Sequence, residues 1–387
     1  MTPAPEHPAP GAVPVGQRHS AHPGPGRPVP AEGTRAIAWE TTTAITRNGF
    51  SAMSLLAADR PLNEIHDAML LDLDGVVYIG PRAVPAAPEA VGKARAAGAR
   101  VAFVTNNAGR TPARIAEHLT ELGVGAAPED VVTSAEAAAR LVGEHHPAGS
   151  DVLVVGDTAL RQAVRRMGLR PVSVDSPSVV AVVQGYSRHM TRDLLDQGTV
   201  AVRRGAFYVA SNNDATAPSE WGLTPGNGSF VRVIANATGV EPVVAGKPMR
   251  PLHEEGILRT GARNPLIVGD RLDTDIEGAT AHGAAGMLVL TGVATPMDAL
   301  AAPEHQRPSY LAWDLSGMNH THPAVVREGD RTRCAGWTVT VTGGAPRIEG
   351  TGDRLDGLRA LCVAVWADRA ADPSGPAARE ALSRLGW

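Results

Sequence analysis

Two carboxylates spaced two residues apart close an apolar run, Met69-Leu70-Leu71-Asp72-Leu73-Asp74-Gly75-Val76. A run this apolar reads as a strand buried on both faces, as in a parallel sheet between helix layers. Acids buried there would destabilise the fold unless a cation met them. The strand is therefore expected to end at Asp72, leaving both carboxylates at the carboxyl edge of the sheet, where α/β proteins place ligands. Gly75 then permits a sharp turn beside whatever binds. Such a pair offers catalysis or cation binding, and Asp-x-Asp-Gly alone decides neither.

Three further segments stand at the ends of apolar runs. Val104-Thr105-Asn106-Asn107 brings a hydroxyl, amides and backbone N–H groups to a strand-to-helix turn. These groups suit a phosphoryl oxygen, or they simply begin a helix capped by Thr111 before Pro112. Ala245-Gly246-Lys247-Pro248 supplies a cation. It is not a nucleotide P-loop, because Glu241 stands where the first glycine belongs and Pro248 where Ser or Thr belongs. Val268-Gly269-Asp270-Arg271-Leu272-Asp273-Thr274-Asp275 clusters acids before an Ala/Gly-rich helix, which suits a hard cation. An EF-hand loop starting at Asp273 fails, since Ala284 occupies the place of its bidentate glutamate. Acids complementing a helix dipole are the remaining alternative.

The elements that must position these groups are short β-type runs: 68–73, 101–105, 151–156, 179–184, 206–210, 243–245, 265–269 and 286–290. Segments of helical spacing, such as 88–97, 111–122 and 134–144, lie between most of them. Alternation of this kind means βαβ units and a mostly parallel sheet, an α/β fold. Residues 1–62 show no sheet-forming pattern; their Pro, Gly, Ala and His content reads as a disordered tail. A short amphipathic piece from Ser51 to Ala58 reads as helical, and Met53 is a candidate start of translation. Beyond about Ser316 a hairpin is expected, Trp337–Thr342 with Pro346–Glu349 across Gly343-Gly344. A helix should follow, with Leu355, Leu358, Cys362, Val365 and Trp366 on one face.

With 387 residues, 43% of them hydrophobic, the chain can build two or three domains. Its net charge of -4 argues against nucleic-acid binding by phosphate neutralisation. No apolar run approaches the ~20 residues that span a bilayer. The two cysteines, Cys334 and Cys362, build no disulfide framework and read as buried thiols in a reducing compartment. The expectation is a cytoplasmic protein without membrane or nucleic-acid partners.

Taken together, the order Asp-x-Asp, Thr, Lys, Gly-Asp-x4-Asp resembles the haloacid-dehalogenase-like (HAD) phosphatases, from about Ala68 to about Asp314. About 140 residues separate Asn107 from Lys247, which places a cap between the second and third motifs, as in subfamily IIA. Pro225-Gly226-Asn227-Gly228-Ser229 and Gly246-Lys247-Pro248 also look like that subfamily. The nearest resemblance is to the glycerol-3-phosphate phosphatases, some of which carry a C-terminal extension. The resemblance implies a doubly wound parallel core over 63–148 and 242–316, an inserted C2-type α/β cap over 149–241, and a small α/β appendage over 317–387. A homodimer joined through the appendage is the corresponding expectation for assembly.

By the same resemblance, Asp72 is the nucleophile that forms an aspartyl-phosphate and Asp74 the acid and base. Thr105, Asn106, Asn107 and Lys247 hold the phosphate. Mg²⁺ is held by Asp72, the Asp74 carbonyl and Asp270. Asp273 and Asp275 orient Lys247 or metal-bound water. The cap loop 211–229 reads the leaving group of a small phosphate ester, with Asn212, Asn213, Asp214 and Glu220 as polar contacts and Asn227 and Ser229 as turn residues. Ala217 stands before Pro218 where pyridoxal phosphatases carry histidine, which favours glycerol 3-phosphate, with 2-phosphoglycolate or a broad sugar or nucleotide range as the alternative. His145-His146 and His320-Thr321-His322 read as solvated rather than metal-binding. A receiver-type signalling module shares the acceptor Asp, the Thr and the Lys, but the acid at Asp74 and the cap-sized insertion oppose it. A phosphotransferase or mutase shares the first half-reaction.

Overall fold

The structure, a computed structural model, describes residues 55–219 and 221–387. The first strand, β1 (Ala68–Leu71), alternates its side chains between two apolar layers, Met69 and Leu71 on one side and Leu70 on the other. β2 (Arg100–Thr105) repeats this with Val101 and Phe103 against Ala102 and Val104. Both faces are thus buried, which is why Ala68–Leu71 and Val101–Val104 carry no polar residue. β3 (Val131–Thr133) adds an edge, and Thr133 caps the following helix, α1 (Ser134–His145), in a reciprocal arrangement with Glu136.

The chain then leaves for a second parallel sheet of β4 (Asp151–Val155), β5 (Arg170–Val172), β6 (Val179–Gln184), β7 (Phe207–Ala210) and, after a two-stranded excursion of β8 (Thr216–Ser219) and β9 (Gly222–Pro225), β10 (Val243–Val244). Its order is β10-β7-β6-β4-β5. Helix α2 (Asn227–Thr238) precedes β10, and α3 (Arg250–Thr260) follows Lys247 back into the core. There β11 (Pro265–Gly269), β12 (Ala285–Val289) and β13 (Tyr310–Ala312) complete a six-stranded parallel sheet of order β13-β12-β11-β1-β2-β3. β1 lies between β2 and β11 in register. The carboxyl ends of these three central strands therefore converge, bringing Asp72, Thr105 and Asp270 to one edge.

The two sheets share an apolar layer. Ala135, Ala137, Ala138, Ala139 and Val142 of α1 are buried in the cluster that holds Leu70 and Val104 of the core sheet and Val152, Val183 and Val209 of the second. Small side chains on α1 let both sheets approach it.

Beyond the core, β14 (Val325–Glu328), β15 (Arg331–Cys334), β16 (Trp337–Thr342) and β17 (Ala345–Gly350) form an antiparallel meander, followed by α4 (Arg354–Ala367). The expected hairpin and helix are both present. However, α4 is buried from Gly357 through Trp366 without a solvent face, because it lies between the meander and the core. Arg359 donates to the Leu311 carbonyl of β13 at 2.6 Å, and Trp366 Nε1 to the Leu300 carbonyl.

Three sequence expectations are corrected here. Residues 55–62 do not behave as tail: Leu55 is buried beside Leu272 and Trp337, and Ala58 bridges His322. Residues 55–58 are not helical, with a single bridge at Ala58; the rest of the expected helix, Met53 and the tail before residue 55 lie outside the described residues. Finally, β10 belongs to the cap sheet through its pairing with β7, although its sequence position suggested the core. No helix among the described residues is long and apolar enough to cross a membrane.

Because α4 serves two layers at once, we expect Leu358→Ala to cost about 2–5 kcal/mol and to shift core and appendage together. A single urea transition, followed by tryptophan fluorescence and by far-UV circular dichroism, checks this.

Candidate active site

The site is built around a buried ammonium. Lys247 is only 5% exposed, and its Nζ donates to Asp72 Oδ1, to Asp275 Oδ1 at 2.6 Å and to the Val104 carbonyl at 3.2 Å. Burial alone would lower its pKa, but Asp275 and Asp72 overcome that and hold it raised, so the charge persists. Asp72 follows the end of β1, its N–H bonded to the Val268 carbonyl of β11 at 2.9 Å. Burial pushes its carboxyl well above the usual range against the pull of Lys247, with Asp275 and Asp270 adding to the rise.

Asp275 is presented by a π-helical turn, Leu272–Ile276, and its second oxygen accepts from Arg271 N–H at 3.2 Å. Asp270 lies at the end of β11. Its Oδ2 accepts from Val293 N–H at 2.7 Å, whereas Oδ1 is buried without a partner among the described residues. Burial, then the charge of Asp275, raises its pKa to about 6. The space for this carboxylate is made by glycines. A Cβ on Gly75, which has φ +83°, would stand 2.3 Å from Asp270 Oδ2, and one on Gly292 only 1.9 Å away. The carboxylate oxygens of Asp72, Asp270 and Asp275 approach within 4.8 Å of one another. Two of these acids share one ammonium, and the third, Asp270, keeps one buried oxygen with no donor among the described residues. Such a donor set fits a hard divalent cation.

Asp74 stands apart at the mouth. Its carboxylate reaches solvent yet is ringed by protein, and that desolvation lifts its pKa above the ordinary value, opposed by Arg110. The Tyr78 hydroxyl lies 3.4 Å from its Oδ2. Thr105 is buried at the end of β2, where its hydroxyl oxygen accepts from Asn107 N–H at 3.1 Å. Asn107 is exposed and its side chain accepts from Gly109 N–H at 2.8 Å, a turn contact. Thr111 accepts from Arg114 N–H, so the helix start expected there is present.

The second sheet closes over this edge through one loop. Asn212 donates to the Asn106 carbonyl at 2.7 Å, and Asp214 accepts from Asn106 Nδ2 at 3.2 Å. Desolvation raises the Asp214 carboxyl above its usual value, while Arg271 across the gap opposes the rise. Asn227 and Ser229 brace the loop from behind, donating to the Asn212 and Ala215 carbonyls. Asn213 is exposed, and Glu220 lies outside the described residues.

The structure brings Asp72, Asp275 and Lys247 into direct contact, with Asp270 beside them, whereas Asn107 makes only a turn contact and Asp273 faces the surface. Asp273 pairs with Arg271 at 2.7 Å on the surface instead of orienting Lys247. Of the two acids expected to serve that purpose, only Asp275 touches the ammonium. Sequence reading missed Gly292 and Val293, which cradle Asp270, and Arg110, which faces Asp74. Thr291-Gly292 after an apolar strand was a usable signal, since it places another turn at the same sheet edge. His145 stacks on Phe207 at 4.5 Å, whereas His322, expected to be solvated, is buried with its Nε2 2.9 Å from the Gly317 carbonyl oxygen.

Comparison with known proteins agrees with this geometry. Residues 69–170 match the haloacid dehalogenase-like hydrolase model and residues 244–318 a second HAD hydrolase-like model. Residues 334–387 match a GCN5-related N-acetyltransferase like domain. The chain is 43% identical to D-glycerol 3-phosphate phosphatase of Mycobacterium tuberculosis over 316 residues, 79% of this chain and 88% of that protein. The glycerol phosphate phosphatase of Mycobacterium tuberculosis, solved in complex with magnesium, superposes with a TM-score of 0.76 at 41% identity, covering 84% of this chain and 99% of that one. The p-nitrophenyl phosphatase of Archaeoglobus fulgidus gives 0.61 at 30% identity, covering 65% and 98%. These matches make the protein a phosphoric monoester hydrolase of the HAD type. The chain belongs to the haloacid dehalogenase-like hydrolase family, within its subfamily IIA of phosphatases.

Removing the ammonium gives a test of the electrostatics. Lys247→Met leaves buried carboxylates without a cation, which should cost about 3–5 kcal/mol at neutral pH. The folded pKa of Asp72, already raised, rises further above its unfolded value. The loss should therefore be largest at alkaline pH and shrink as pH falls toward the ordinary carboxylate range. Urea denaturation of both proteins at pH 5 and pH 8 measures it.

Proposed function

We propose that the protein hydrolyses glycerol 3-phosphate to glycerol and phosphate, with Asp72 as nucleophile, Asp74 as acid–base and Mg²⁺ as cofactor. The observation that carries this reading is Asp72 itself, fixed by Lys247 at a sheet edge beside the partnerless oxygen of Asp270. Similarity extending over 88% of the glycerol 3-phosphate phosphatase of Mycobacterium tuberculosis supports the choice of ester.

Asp72 attacks phosphorus, an aspartyl-phosphate bond forms, and the ester P–O bond breaks. Asp74 gives its proton to the departing alkoxide, and its raised pKa favours the protonated form needed for that step. A water molecule then loses its proton to Asp74 and attacks phosphorus, releasing phosphate and restoring Asp72. Lys247 offsets charge on Asp72 throughout, Asp275 holds Lys247, and Thr105 with the Asn106 backbone receives phosphoryl oxygens. Asp72 and Asp270, with the Asp74 carbonyl, would hold Mg²⁺, which when bound neutralises charge on the phosphoryl group. In this reading the loop that carries Asn212 and Asp214 is the part of the inserted sheet that meets the leaving group.

The same proposal has the protein act in the cytoplasm on a free small ester, without nucleic acid, as a homodimer through the appendage. Two buried unpaired cysteines, Cys334 and Cys362, support a reducing compartment.

Phosphate release from glycerol 3-phosphate, 2-phosphoglycolate, pyridoxal phosphate and nucleotides tests this. We expect the highest kcat/KM on glycerol 3-phosphate, abolition by EDTA, and a fall on the order of 10³-fold or more in Asp72→Asn. Strongest release from another ester would replace the substrate and keep the mechanism. Metal removal should also register without substrate. Asp270, with a folded pKa of about 6, weakens the metal-free fold as pH rises through that value, because the ionised form is disfavoured. Mg²⁺ should therefore raise the melting temperature more at pH 8 than at pH 5. An equal effect at both values would count against Asp270 as a ligand.

A further inference from the structure

Asn106 stands where the core, the lysine and the cap loop meet, and its side chain has contacts that its place in the phosphate loop does not explain. The amide grips the Lys247 peptide at both ends. Oδ1 accepts from Lys247 N–H at 2.8 Å, and Nδ2 donates to the Lys247 carbonyl at 3.2 Å. Nδ2 also reaches Asp214 Oδ2 at 3.2 Å, while the Asn106 carbonyl accepts from Asn212 Nδ2 at 2.7 Å. Asn212 is held in turn by Asn227, buried in the cap, at 2.7 Å. The approach is close enough to exclude a side chain at the neighbouring position. A Cβ on Gly246 would lie 2.6 Å from Asn106 Oδ1 and 2.7 Å from the Ser211 carbonyl.

Only a primary amide can make this clasp, because it offers an acceptor and a two-proton donor on one planar group. From Asn106 the path continues through the Lys247 backbone to Nζ, which touches both Asp72 and Asp275. We propose that Asn106 is a positioning residue that couples the cap loop to Lys247, so that the seat of Asn212 and Asp214 on the core sets where the ammonium stands against Asp72. The cap then does more than cover the ester, since its arrival aligns the nucleophile. This inference rests on the phosphatase reading above.

The test is a double-mutant cycle in the full chain with Mg²⁺ and glycerol 3-phosphate or p-nitrophenyl phosphate, using Asn106→Ala, Asn212→Ala and both together. A small displacement of a positioned charge costs about 10²-fold in rate, so kcat should fall by about 10- to 100-fold in Asn106→Ala, with a much smaller change in KM. Asn212→Ala should lower kcat in the same direction, and the double variant should be no slower than Asn106→Ala, because the path is already cut. Losses that multiply, or a loss confined to KM, would overturn the coupling. Should Asn106→Ala not fold, the uncharged Asn106→Leu fills the same space but removes both the acceptor and the donor. It should lose kcat while still melting in one cooperative step, and full activity in it would equally sink the proposal. An unaltered protein that releases phosphate from no ester fails the phosphatase reading; an active one with unaffected variants fails this inference alone.

Discussion

The ammonium of Lys247 is the feature on which the sheet edge depends. A lysine out of water destabilises a fold unless its charge is answered at short range, and here two carboxylates answer it, one following β1 and one on the helical turn after β11. Each of those acids would in turn be untenable without the lysine. The three groups therefore fix one another, and with them the relative placement of β1, β11 and the turn after β10. Asp270 is left out of this settlement. Its open oxygen and raised pKa record a charge that the polypeptide alone does not balance, which is why a cation belongs to the site.

Much of this was legible in the chain because buried strands must shed polar residues until they end. Apolar runs stopping at Asp72, Thr105 and Asp270 mark the edge of the sheet, and the parallel order follows from helices of the right length between them. What was not legible depends on contacts between distant segments. Whether Asp273 or Asp275 faces inward is decided by the winding of a π-helical turn, which no spacing rule gives. β3, β5 and β13 are each three residues long, too short for a periodic pattern. Leu55 and Ala58 look like tail by composition, yet they are buried by partners more than 200 positions away. The clasp of Asn106 on Lys247 spans 141 positions and leaves no mark beyond the identity of the residues.

The appendage shows how a helix pattern can mislead in the other direction. Leu355, Leu358, Cys362, Val365 and Trp366 suggested one apolar face, but Arg359 also lies buried, donating to Asp356 and to the edge of the core sheet. A paired arginine can be taken inside when its donors are used. The p-nitrophenyl phosphatase of Archaeoglobus fulgidus aligns with only 65% of this chain. In the present protein, α4 joins the extension to the core sheet and to the segment from Leu55, so the extension is continuous with the catalytic body.

The alanine surface of α1 joins the inserted sheet to the core. It is flanked by apolar side chains of both sheets, Leu70 and Val104 on one and Val152, Val183 and Val209 on the other. Parting the two sheets would wet that layer, so their union is held by dehydration at least as much as by the polar contacts at the site. The dry seam behind the buried acids thus belongs to the same helix that follows the edge strand of the core.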